Sequence, residues 1–253
     1  MSEQTLYILY LVSPLALLLC IVICAVASVR VHSVMNKYRR KTLDAGVRGG
    51  ELARAILDRA GLFDVRVVSG KEGADYYDPK ARLVSLSPQN YDGATVTAVA
   101  VAAHECGHAV QHAEGYAPAR ARTALVPVVN VLTRLAMPLI LVGVIIEIVM
   151  TVLAATGTYA HWGILIAVVG VVFYASVLLF ALITLPAEYD ASRRGKKILS
   201  DGGIVNAQEA VGVRKVLSAA AATYLASALL SLVQLLRIIL YLLVIFGGGK
   251  KRK

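Results

Sequence analysis

His104-Glu105-Cys106-Gly107-His108 sets two histidines four residues apart, with a glutamate directly after the first. The stretch 95–110 around it is rich in Ala and Val and reads as a helix. Four residues advance a helix by about 6 Å and return to the same face, so both imidazoles lean toward one point. A zinc ion there would sit about 2.0–2.1 Å from each nitrogen. The glutamate is placed to hold a metal-bound water and accept its proton. Cys106 falls on another face and is not counted as a ligand. Two histidines bonding to backbone or solvent would be the plainer explanation. Yet three of the five histidines lie between 104 and 112, and a metal accounts for that clustering.

Hydrophobic residues make up 58% of the 253, and the mean hydropathy is +0.68. A soluble domain has roughly 45–50% apolar content. The excess is held in blocks. Residues 6–29 are apolar but for Ser13, Pro14 and Ser28, and residues 135–155 and 163–185 form two more runs. Each is long enough to cross the ~30 Å hydrocarbon core of a bilayer. The first has no basic leader and is followed at once by Arg30, so it reads as an anchor rather than a cleaved signal. A fourth block, 216–246, carries Gln234 and Arg237 in its second half. It reads either as one tilted helix that begins outside the bilayer or as a packed helix followed by a shorter membrane segment.

The expected fold is a mainly α membrane protein, with three to four transmembrane helices and a small α+β unit on the cytoplasmic side. It divides into an anchor (1–29), a region holding the H-E-x-x-H helix (30–134) and two membrane helices (135–185). A second extramembrane segment (186–215) and a last helix with a basic tail (216–253) follow.

Lys and Arg placement gives the orientation. None precedes the first block; Arg30, Lys37, Arg39, Arg40 and Lys41 follow it, and Arg193, Arg194, Lys196 and Lys197 follow the third. The link 156–162 has none. The positive-inside rule therefore puts 30–134 and 186–215 in the cytoplasm and the N-terminus outside. The tail Lys250-Lys251-Arg252-Lys253 obeys that rule only if the last block is a hairpin or re-entrant segment. The net charge of +10 is explained by these flanking residues facing anionic lipid. No nucleic-acid-binding pattern accompanies it. Cys20, Cys24 and Cys106 form no disulfide framework and fit a reducing compartment. Glu147 and Arg237, charged within membrane blocks, are expected to pair with each other.

Within 30–134, residues 50–60 show a helical pattern ended by Gly61. Residues 63–69 and 82–87 alternate as strands, the second after the turn signal Asp78-Pro79. The polar linker 70–77 is a candidate cover for the cleft, and the 82–87 strand a candidate for adding an extended peptide to its edge. Asp92 is placed to cap the motif helix, which ends near Gly115. Pro118 opens a further helix with Arg120 and Arg122. The expected order is helix, strand, strand, metal helix.

A hydrolytic zinc site takes three protein ligands and keeps one position open. His112 shares the helix face but lies about 12 Å from His104, too far for two ligands of one ion, and reads as a supporting residue. The third ligand should be a carboxylate from elsewhere. Glu188, in Leu185-Pro-Ala-Glu-Tyr-Asp-Ala-Ser-Arg-Arg194, follows the third apolar block and shares the motif's side by charge placement. Asp190 is its main rival and could instead orient a ligating histidine. Tyr77, Tyr91, Tyr189, Arg193 and Arg194 are each chemically able to stabilise an oxyanion, and the sequence does not choose among them.

Over nearly its whole length the chain resembles the YugP-type bacterial membrane zinc peptidases. The resemblance is carried by E-x-A-R-x-I-L-D-x-x-G-L at 51–62, Y-D-P at 77–79, A-A-H-E-x-G-H-A-x-Q-H at 102–112 and L-P-x-E-x-D-A-S-R-R at 185–194. It implies a distant, gluzincin-like relation to HtpX-type and prenyl-protein peptidases, in which a later Glu completes H-E-x-x-H. That supports Glu188 as the third ligand. Those relatives carry an Asp four residues after the Glu, where this chain has Ser192 and its Asp at 190.

Motif and resemblance together imply a multi-pass zinc endopeptidase of the bacterial plasma membrane, with the active site on the cytoplasmic side. Zn2+ is held by His104, His108 and Glu188, Glu105 acts as base, and a peptide or membrane-protein substrate is cut at the membrane face. The lipid bilayer and a regulatory membrane partner or second copy of the chain complete the implied partners. The competing class is a non-proteolytic membrane scaffold or adaptor with a structural zinc site. An intact Glu105 counts against it, because a structural site needs no general base. A transporter is disfavoured because the polar chemistry gathers outside the spans. No G-x-x-x-x-G-K-[ST] loop is present to couple ATP.

Overall fold

The computed structural model describes residues 3–153 and 161–247. The link 156–162 falls largely, and the tail Lys250–Lys253 wholly, outside them. The elements are α1 (Glu3–Arg39), α2 (Gly49–Arg59), β1 (Arg66–Ser69), β2 (Tyr76–Asp78), β3 (Leu83–Leu86) and α3 (Pro88–Tyr91). They are followed by α4 (Val96–Ala113), α5 (Ala117–Leu153), α6 (Trp162–Asp201) and α7 (Ala207–Gly247). Four helices, α1, α5, α6 and α7, are long and apolar enough to cross a membrane. The fold is mainly helical, with a small mixed sheet. The block 216–246 lies within one continuous helix, α7, so the hairpin form that would have reconciled the basic tail with the charge rule does not occur.

Two compact units divide the chain. The first comprises Met1–Cys24, Ala124–Leu182 and Ala226–Lys253. In it α5 and α6 approach so closely that a Cβ on Gly143 would lie 2.4 Å from Ala167 N, and one on Gly163 2.4 Å from Glu147 N. Small residues at a helix crossing let backbones meet where lipid offers no hydrophobic drive. Glu147 is buried here and is not paired with Arg237. Its Oε1 lies 2.5 Å from His161 Nδ1, and its Oε2 accepts the Ile164 N–H at 3.2 Å in the first turn of α6. A carboxylate at a helix N-terminus satisfies an orphan donor and the helix dipole at once. Arg237 instead donates from Nε to the Tyr241 hydroxyl at 2.7 Å.

The second unit comprises Ala25–Thr123 and Ile183–Leu225. Its core is built from Leu52, Ala53 and Leu57 of α2, Val84 and Leu86 of β3, Val99 of α4, and Leu199 and Val213. α2 ends at Arg59 and is capped by Ala60, with Gly61 in the left-handed conformation (φ 71°) as its sequence suggests. The sheet order is β1-β3-β2, with β1 parallel and β2 antiparallel to β3. β3 is the central strand, paired on both sides. The edge expected at 82–87 is therefore not free; the free edge nearest α4 belongs to β2. β2 occupies the end of the linker expected to cover the cleft. It is followed by a turn in which Asp78 Oδ1 accepts the N–H groups of Lys80 and Ala81 at 2.8 and 3.0 Å. Thr95, not Asp92, caps α4: its Oγ1 accepts the Ala98 N–H at 3.2 Å, while Asp92 closes the short α3. α4 ends at Ala113 with Gly115 at φ 71°.

Candidate metal centre

α4 presents His104 and His108 one turn apart, their rings in edge-to-face contact at 4.8 Å between centroids. Glu188 comes from α6, just beyond the apolar run that ends at Leu185. Its Oε2 lies 3.2 Å from His104 Nε2 and 3.6 Å from His108 Nε2. Glycine makes that approach possible. A Cβ on Gly107, inside the motif, would lie 2.7 Å from Ala191 O, and one on Gly195 3.1 Å from Ala103 O. The two helix backbones touch where side chains are missing, and Glu188 is carried against both imidazoles.

The neighbours fix how each ring points. Gln111, fully buried, donates from Nε2 to Ala187 O at 2.7 Å and to Asp190 Oδ2 at 2.9 Å. Both partners are acceptors, so the Gln111 Oε1 facing His108 Nδ1 at 3.0 Å must accept from it. The Nδ1 of His108 therefore carries a hydrogen, and a neutral ring presents a lone pair at Nε2. Ser192 Oγ lies 3.1 Å from His104 Nδ1 and steadies the orientation of that ring. Asp190 does not contact a histidine; it holds Gln111, and is itself held by Arg193 and by Arg194 Nε at 2.5 Å.

Three side chains with potential ligand atoms converge on one point. Ligand atoms of His104, His108 and Glu188 all lie within 4.8 Å of one another and could hold a metal ion. Donors bound at about 2.0–2.1 Å in a tetrahedron lie roughly 3.4 Å apart, and the observed 3.2 and 3.6 Å fit that spacing. The electrostatics agree. Burial alone would depress His108, but the hydrogen bond to Glu188 and the charges of Glu105 and Glu188 raise it above its ordinary value. Burial alone would raise Glu188, but hydrogen bonds from His104 and His108 and the charges of His108 and Arg122 hold it below the usual carboxylate range. The site favours a positive charge between these groups, and a divalent ion supplies one.

Glu105 is buried beside them, and that burial pushes its carboxyl up, helped by Glu188 and Asp75 and opposed by His104 and His108. Cys106 lies on the opposite side, fully buried with Sγ 3.6 Å from Ala53 O, and burial pushes its thiol up. His112 stands off the centre, 3.2 Å from Thr123 Oγ1 and with its ring 5.7 Å from that of Tyr77. Burial lowers it, aided by the positive neighbours His108, Arg122 and Arg120. Among the other expected residues, Tyr91 lays its ring over Gly50, Tyr189 is half-exposed, and Arg194 also pairs with Glu114 at 2.6 Å.

Gln111 and Ser192 were given no role from sequence, and two further contributors were missed as well. Arg122 Nη1 lies 2.7 Å from Glu188 Oε1, and the Tyr224 phenol sits close enough to Glu188 for the two to interact. Arg122 had a signal in its position just after the motif helix. Tyr224, in the middle of an apolar block, had none.

Four helices long and apolar enough to cross a membrane, and three side chains that could hold a metal ion, are the features of a membrane metalloprotein. The description "Putative neutral zinc metallopeptidase" matches residues 13–243, and the chain belongs to that family. It is 40% identical over 219 residues to "Putative membrane protease YugP" of Bacillus subtilis (strain 168), an overlap of 86% of this chain and 90% of that one. No solved structure gives a significant match.

Proposed function

We propose that the protein is an integral-membrane zinc endopeptidase that hydrolyses peptide bonds at the cytoplasmic membrane face. The observation that carries this reading is the convergence of His104, His108 and Glu188 beside a buried Glu105 on the same helix. His104, His108 and Glu188 would hold the zinc ion, which would supply Lewis acidity toward a carbonyl and a water. Glu105, its carboxyl raised by burial, takes the proton from the attacking water and passes it to the leaving amine. Gln111 keeps the His108 imidazole in the tautomer that leaves Nε2 free for metal, and Ser192 Oγ steadies the His104 ring from its Nδ1 side. An extended substrate adds to the outer edge of β2, which runs beside α4: Asp75, just before it, bears on Glu105, and Tyr77 lies against His112.

The cytoplasmic placement rests on the Lys and Arg residues that follow the first and third apolar blocks. A single crossing by α7 carries the basic tail to the other side and opposes it. Protease protection of a tag placed in the α2 region, in sealed vesicles, tests the placement; cleavage from the outer face would reverse it.

Glu105→Gln tests the chemistry. It should keep zinc at the wild-type stoichiometry and lower peptide hydrolysis by about 10²–10⁴-fold, the range of a positioned general base. Hydrolysis at the wild-type rate by that variant would remove Glu105 from the chemistry, and zinc-loaded wild type that hydrolyses no peptide would leave the scaffold reading standing.

A further inference from the structure

A cavity of about 270 Å3 opens beside α4, one turn beyond Glu105. Ala109 and His112 line it, and they stand four and seven residues after Glu105, so all three share one stripe of the helix. Its floor is Leu62, Val65 and Ala109, each almost fully buried, and its walls include Tyr77 and Arg82. An engineered cavity of about 150 Å3 holds benzene, so this one has room for an aromatic side chain.

We infer that this cavity is the pocket that takes an uncharged aromatic or large aliphatic side chain of the substrate. The inference rests on the peptidase reading above. Three features favour such an occupant over a charged one. The buried floor is apolar, and the polar atoms of the lining belong to Tyr77, Arg82 and His112. The facing rings of Tyr77 and His112 offer edge and face contacts, and His112 is fixed by Thr123. The charge of Arg82 is already met by Asp64, at 2.6 Å. Arg82 is also anchored: its φ of 47° is the sole positive value among described non-glycine residues, and its carbonyl accepts the Arg66 N–H at 2.9 Å. The spacing suits a neighbouring residue of the cleaved bond. One helix turn is about 5.4 Å, and two residues of an extended peptide, whose side chains share a face, span about 6.6 Å.

Ala113 lines the cavity from the last turn of α4 and is exposed, so a larger side chain there does not disturb the core. Side chains on a helix lean toward its N-terminus, which sends the ring of an Ala113→Phe variant over Ala109 and into the pocket. The test uses matched quenched fluorescent peptides with Phe or Ala at one position, scanned across three residues on either side of the cleaved bond. Wild type should prefer Phe at one of these positions by about 10-fold or more in kcat/KM, the scale set by a few buried methylenes. Ala113→Phe should abolish that preference. A preference that survives the substitution, or none in wild type, overturns the pocket.

The same peptide pairs are measured by fluorescence anisotropy on zinc-loaded Glu105→Gln protein, with and without Ala113→Phe. Phe-over-Ala binding that collapses with Ala113→Phe supports the pocket even if no peptide is hydrolysed, in which case the peptidase reading alone fails. Equal binding of both peptides counts against the pocket whatever the activity.

Discussion

Arg122 Nη1 holds Glu188 Oε1 at 2.7 Å, while Oε2 of the same carboxylate faces His104 Nε2 at 3.2 Å. One oxygen is occupied by a guanidinium and the other is aimed at the histidines. Arg122→Met should free the carboxylate to rotate and lower zinc affinity by about 10–100-fold, the usual effect of losing a residue that orients a ligand. Competition with a chromophoric chelator measures it; unchanged affinity would reduce Arg122 to a surface charge.

Gln111 joins His108 to Ala187 and Asp190 through one buried amide. Gln111→Leu fills the volume but leaves those partners without their donor or acceptor. A buried polar group so stranded costs about 1–3 kcal/mol, so the thermal midpoint should fall and zinc should be held less tightly. Gln111→Glu separates the two effects, since it keeps the acceptor toward His108 while removing the donor toward Asp190.

Gly107→Ala places a methyl group where Ala191 O now lies 2.7 Å away. α4 and α6 must part, and Glu188 moves away from the imidazoles. Overpacking of this kind costs about 1–3 kcal/mol. The informative result is metal loss in protein that still folds, read as zinc per chain across a size-exclusion peak.

The chelator-treated protein should have a pH window of added stability. His108 is raised above its ordinary 6.5, so its contribution is complete below that pH and is lost as pH climbs through the folded value. Glu188 is lowered from its ordinary 4.5, so its contribution is complete above that pH and is lost as pH falls. Both act in full between about pH 4.5 and 6.5. The thermal midpoint relative to Glu188→Gln should be greatest there and the difference should shrink at more acid and more alkaline pH; a difference that stays constant well outside the window on both sides would show that the pair is not coupled.

The sequence exposed those parts whose chemistry is local. Two histidines and a glutamate at helical spacing, and apolar runs of membrane length, are each legible within a few turns. Glu188 could be found because a third ligand was required and charge placement narrowed the search. Ser192 and Gln111 could not be assigned partners, because those depend on how closely α4 and α6 cross, and that is set by what Gly107 and Gly195 lack. β2 was hidden by its brevity: Tyr76, Tyr77 and Asp78 are too few to show alternation. Asp92 and Thr95 are both good caps, and only the chain's path decides between them. Glu147 was matched with Arg237 because both were charged within membrane blocks, whereas a nearby helix start offered its carboxylate a nearer donor.

Eighty residues separate His108 from Glu188 in the chain. A ribosome adding about 5–20 residues per second needs roughly 4–16 s to cover that interval. During it the growing polypeptide holds two histidines and a base but no third arm to close the site. On the peptidase reading proposed above, hydrolysis becomes possible only after the third apolar block has been made, and a chain truncated anywhere before residue 188 lacks the third side chain of the candidate metal site.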